Sequence, residues 1–205
     1  MKKKKEKARG LVYILLEIMG KTAETLMEEE AYVELSQDKK DEIWMECLFF
    51  NLHQFNRTFF VWIGRHERDE LMDAALIELN KYMKIVIEEG EKKAYDNLST
   101  DSFEHYVEIS SFQNWLEDFN NIYNKREEEY AQYNDNLKEG EGLAGTLLWE
   151  FGNKVARMMD REKDIEIIMK MQFIGTAFTY FADALKELIE TGKIGDADFK
   201  LDGEK

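Results

Sequence analysis

Glu46, His53 and Arg57 are spaced by seven and four residues. On a helix turning about 100° per residue they fall on one line within roughly 40°. A carboxylate, an imidazole and a guanidinium set along one face can accept a proton, titrate near neutrality and hold an anion, respectively. Three readings of that line stand open. It is a ligand or proton-transfer site centred on His53, a structural polar ladder that sets the register of two packed helices, or a solvent-exposed edge. If the line is buried, each charge needs a partner, because an unpaired charge in the interior is costly.

Other chemistry is absent from the spacing. A di-metal helical bundle needs Glu-x-x-His pairs, but Phe50, Ile63 and Ser102 stand three residues before His53, His66 and His105. There is no His-Glu-x-x-His, since His66–Glu67 runs on to Asp69 and Glu70. No glycine-rich phosphate loop, dinucleotide fingerprint or nucleophile elbow occurs. Cys47 is the only cysteine, which removes an internal disulfide and a cysteine-based zinc site. A ligand set drawn across helices from Glu46, His53 and His105 is the one metal arrangement that spacing does not address. The expectation is therefore no cofactor, no metal and no catalytic machinery.

The element that must position the line is Asp41–Gly64, DEIWMECLFFNLHQFNRTFFVWIG. Read as a helix, it places Trp44, Leu48, Leu52, Phe55, Phe59, Trp62 and Ile63 in one arc of about 100°, with Phe49, Phe50 and Phe60 on other sides. A helix apolar nearly all round belongs inside a domain. Glu46, Asn51, His53, Gln54, Asn56 and Arg57 in its middle argue against a membrane span.

Around it the chain reads as helix throughout. Proline is absent and Glu, Lys, Leu, Met and Ala are abundant. A first helix is expected over about Lys4–Glu30. After a charged junction at Arg65–Asp69, a third runs to about Glu89 and stops at Gly90. A fourth carries Phe103 to Tyr123, a fifth spans about Leu143–Met159, and a sixth runs from Glu162 to Thr191. On the sixth, Ile165, Ile168, Met169, Phe173, Tyr180 and Leu188 are expected inside. The small residues Gly145, Gly152 and Ala156 of the fifth predict close approach of a neighbouring helix. The fold class is thus all-α: an antiparallel bundle of six to seven helices around a buried central helix at about 41–64. It is expected as one domain over 1–192, with a possible internal linker at 134–142 and a polar tail at 193–205.

The net charge of −15 disfavours general binding to phosphate backbones. Residues 1–7 hold five lysines against one glutamate, a basic tip on an acidic chain. The apolar run Leu11–Leu16 is too short for an export signal, so a cytoplasmic location is expected. The resulting expectation is a soluble acidic interaction module of adaptor, chaperone-like or regulatory type, with a protein partner or a second copy of itself. Trp115, Tyr130 and Tyr133 are the candidate contacts, because Trp and Tyr favour interfaces. The alternative is a small-ligand or metal-binding protein, with an enzyme as its extreme case, whose site is Glu46, His53 and Arg57.

Overall fold

The computed structural model describes residues 2–96, 119–134 and 144–192. Its longest element, α3, runs from Gln37 to Asp96 and is interrupted only at Gly64, where φ is 77° and ψ is 172°. That combination is essentially restricted to glycine, so Gly64 is where one rod becomes two. In the first half Ile43, Met45, Cys47, Leu48, Phe49, Phe50, Leu52, Phe55 and Phe59 are all buried. Side chains on every side of the rod are therefore covered, as expected for a helix apolar all round.

Burial ends at Phe59. Trp62, expected in the core arc, is 39% exposed, and Ile63 is only half-buried. The arc assumed a covered face up to the glycine, whereas Val61, one turn before the corner, is already 79% exposed. The charged junction Arg65–Asp69 is helical, braced by pairs such as Arg65–Asp69 and His66–Glu70 four residues apart. Gly90 does not stop the helix, whose backbone continues to Asp96. A single glycine costs about 1 kcal/mol in a helix interior, which a long helix tolerates.

Helix α1 (Lys2–Met27) packs along α3 on both sides of the corner. Asn51, buried in the first half, donates to the Cys47 carbonyl at 2.9 Å and lies against the Met19 sulfur. In the second half, Arg9 donates to buried Glu78 at 3.2 Å and Lys81 does so at 2.8 Å. Burial alone would raise the Glu78 carboxyl, but these two cations outweigh it and hold it below the usual range. The first helix ends earlier than expected, and a separate turn, α2 (Glu30–Val33), follows.

The remaining helices close around this pair. They are α4 (Phe119–Tyr130), α5 (Leu147–Met158), α6 (Ile165–Gly175), a 3-10 turn (Ala177–Phe181) and α7 (Ala182–Thr191). The fold is all-α, and no strand occurs among the described residues. Thr146 caps α5 by accepting from the Trp149 amide, and Asp164 caps α6 through the amides of Glu166 and Ile167. Gly152 allows α5 and α6 to touch: a Cβ there would lie 2.6 Å from the Ile168 carbonyl oxygen. That is the close approach expected at Gly152, whereas Gly145 precedes α5 and a Cβ there would meet nothing within 4 Å.

The single sixth helix expected over 162–191 is instead three pieces. Thr176 donates its hydroxyl to the Phe173 carbonyl, and Thr179 donates to that of Thr176, both at 2.7 Å, which favours the tighter turn. The break changes the helical phase. Ile167, Ile168, Met171 and Ile174 face inward, while Ile165, Met169, Phe173 and Tyr180, expected inside, are exposed.

Candidate functional site

The line of Glu46, His53 and Arg57 does not act as one unit, because α4 crosses it and divides it. Glu46 lies at its inner end and is 3% exposed. Its carboxylate accepts a hydrogen bond from the Tyr130 hydroxyl, one from Arg126 Nε at 2.8 Å, and lies 3.1 Å from Lys154 Nζ. Glu129 closes the set, taking Lys154 at 2.7 Å and Arg126 Nη1 at 3.1 Å. Two carboxylates therefore meet two cations, contributed by α3, α4 and α5, with the Lys154 ammonium also 5.3 Å from the centre of the Tyr130 ring.

The electrostatics follow from that arrangement. Burial first, and then the Glu46 charge, push the Tyr130 hydroxyl well above its ordinary range. Burial disfavours a charged Glu129, yet Lys154 and Arg126 outweigh it and keep its carboxyl below the usual range. Each group in the cluster is satisfied by its neighbours, so the inner end is the structural ladder that ties three helices. Tyr130, expected as a surface contact, is 1% exposed and committed to Glu46. Its neighbour Tyr133 is half-buried, and burial raises its hydroxyl. Cys47 is fully buried, and burial pushes its thiol far up, so it is not a reactive thiol.

Two turns further along α3 the surroundings change. His53 is 2% exposed, with its ring 5.6 Å from that of Tyr130. Its Nδ1 stands 3.2 Å from Glu127 Oε1. The two atoms are close enough for Coulomb contact, yet neither ring nitrogen nor that oxygen has a hydrogen-bond partner of usable geometry. Glu127 is held through its other oxygen by Asn56 and is also bonded by the Tyr123 hydroxyl. Arg57 donates to the Tyr133 carbonyl at 3.0 Å, which fixes the end of α4 against α3.

A cavity of about 490 Å³ opens here, lined by His53, Asn56, Arg57, Trp62, Arg68 and Glu127 among others. Arg68 comes from beyond the Gly64 corner, and its Nε is also buried without a partner. Eight buried side-chain polar atoms among the described residues lack a hydrogen bond, and four belong to His53, Arg68 and Glu127. Buried polar groups are ordinarily satisfied, and these four exceptions converge on one cavity.

The structure thus brings His53 and Arg57 to a common cavity and assigns Glu46 to the ladder. Sequence reasoning missed Arg68 and Glu127 at the cavity, and Arg126, Glu129 and Lys154 at the ladder. The run KREEEY at 125–130 held a signal, since its charges recur at helical spacing beside an aromatic. Trp115, His105, the tail at 193–205 and all but Asn134 of the expected linker lie outside the described residues. Among the described residues no group of three His, Cys, Asp or Glu side chains is placed to hold a metal. Nor is any of their helices long and apolar enough to cross a membrane. Comparison with protein-family models, curated proteins and solved structures finds no match for this chain.

Proposed function

We propose that this protein binds a small anionic molecule in the cavity over His53, as a binding protein rather than a catalyst. The observation that carries this reading is the set of unsatisfied buried atoms on His53, Arg68 and Glu127 at one cavity. Charge supports it. In a chain of net charge −15, the cavity wall brings together two guanidiniums, Arg57 and Arg68, beside the carboxylate of Glu127, with Asp69 paired to Arg68 Nη2 at 2.5 Å. The volume lies within the range of small-molecule sites. Among the described residues no hydroxyl or thiol beside His53 is arranged as an activated nucleophile, which favours binding over turnover.

Calorimetric titration with acetate, benzoate and inorganic phosphate tests it. One saturable site is expected. Arg68→Ala and His53→Ala each weaken the best ligand roughly ten- to hundredfold, the worth of a hydrogen bond to a charged group. The exposed control Lys39→Ala leaves affinity unchanged. Absence of saturable binding by all three probes contradicts the proposal.

A second reading, self-association, is favoured by the exposed row Ile165, Met169 and Phe173 on α6. It borders a hollow of about 570 Å³ lined by Thr22, Thr25, Phe173, Ala177, Tyr180 and Phe181. Ridge and hollow on one patch suit the self-complementary contact of a two-fold dimer. Light scattering is expected to give a dimer that the double variant Met169→Glu, Phe173→Glu converts to monomer. A wild-type monomer at high concentration removes this reading.

A further inference from the structure

Phe60, Val61 and Trp62 are consecutive on the last turn before Gly64, and they are 52%, 79% and 39% exposed. All three line the cavity over His53. Scattered exposed apolar residues are ordinary, but here three adjacent ones form the mouth of a cavity whose floor is polar. The core-facing residue of that turn is Phe59, fully buried, with the Trp62 ring 6.2 Å from its own. The Arg68 guanidinium stands 5.4 Å from the centre of the Phe60 ring. That cation–π contact sets the cation against the apolar wall instead of pointing it into water.

We infer that the ligand is an amphipathic monocarboxylate, with its head on Arg68, Arg57 and His53 and its apolar body against Phe60, Val61 and Trp62. The inference rests on the reading of this cavity as an anion site and deepens it. Three features select the head. The charged residues of the wall are Arg57, Arg68 and Glu127, and Arg68 Nη2 is paired with Asp69 at 2.5 Å. With Glu127 in the wall and Asp69 on Arg68, a single added negative charge is tolerated better than a dianion. A carboxylate also matches a guanidinium fork through its two oxygens, and Arg68 Nε is a buried donor that lacks an acceptor. The body follows from the mouth. A ligand that was all polar would leave three apolar side chains facing water, whereas an alkyl chain or aromatic ring covers them.

Straight-chain monocarboxylates from acetate to octanoate, kept below self-association, together with inorganic phosphate and octanamide, provide the test. Calorimetry measures affinity, and tryptophan fluorescence reports contact at Trp62. Affinity is expected to rise roughly fourfold per added methylene until the wall is covered. Octanamide and phosphate are expected to bind more weakly than octanoate. The variant Val61→Ser, which alters an exposed position and keeps the Phe60 ring against Arg68, lessens the dependence on chain length while leaving acetate binding in place. If acetate and phosphate bind but affinity is flat with chain length, the amphipathic ligand is wrong and the anion site stands. Phosphate binding more tightly than every carboxylate, or octanamide matching octanoate, overturns the carboxylate head. If no probe binds, the anion site itself falls, and this inference with it.

Discussion

Glu46→Ala is expected to lower the stability of this protein by about 3–5 kcal/mol, the usual effect of removing one partner from a buried ion-pair cluster. The Tyr130 hydroxyl and Arg126 Nε lose their acceptor, and Lys154 Nζ loses one of its two carboxylates. Arg126 and Lys154 are then left together with Glu129 alone, and two cations share one counter-charge. Glu46→Gln keeps the shape and one acceptor oxygen, so its cost is expected to be smaller, about 1–3 kcal/mol. Denaturant unfolding measures both. A loss under about 1 kcal/mol for the alanine variant contradicts the assignment of Glu46 to a structural cluster.

This cluster and the separate Arg9–Glu78–Lys81 set together shape the acid limb of stability. Glu129 and Glu78 ionise below the ordinary 4.5 because paired cations outweigh their burial. A carboxylate whose folded value is lowered contributes fully above its unfolded value and loses that contribution as pH falls through the folded one. Stability is therefore expected to be flat with respect to these groups above the ordinary carboxylate range and to decline below it.

Phe50→Ala is expected to cost about 3–5 kcal/mol, the range for emptying a buried aromatic site. Phe50 is fully buried at the junction of α3, α4, α5 and α6. Its ring stacks on Phe151 with centroids 4.0 Å apart and meets the Tyr130 ring edge-on at 5.4 Å. Gly175 lies so close that a Cβ there would come within 3.1 Å of it. Helices converging from several directions collapse poorly into a void, so the upper half of the range is expected. The removed ring also leaves Tyr130 without a wall, and near-ultraviolet circular dichroism should register the loosened aromatic cluster. A cost near that of a surface substitution, within about 0.5 kcal/mol, contradicts the packing described.

The central rod was legible because its signal is local and dense. From Ile43 to Phe59 the apolar residues leave few sides open, and period alone places such a helix inside. The fate of the polar line was not legible. Glu46 is paired by Arg126, 80 residues on, and by Lys154 beyond it. Periodicity shows that Glu46, His53 and Arg57 share a face, but only the crossing of α4 decides where that face becomes a ladder and where it becomes a cavity. Trp62 misled because a helical wheel carries no information on where the covering helices end. The break of the last helix came from threonine hydroxyls bonding back to the chain, a local event in residues that helices often tolerate.

The most direct test of the central claim is the ¹⁵N spectrum of the histidine ring nitrogens, recorded with and without saturating hexanoate. Both nitrogens of His53 lack a hydrogen-bond partner, whereas His66 is exposed and is not among the residues lining the cavity. The His53 resonances are expected to move on binding while those of His66 stay in place. Hexanoate that binds, by calorimetry, with the His53 resonances unmoved would show that the cavity over His53 is not where this protein holds its ligand.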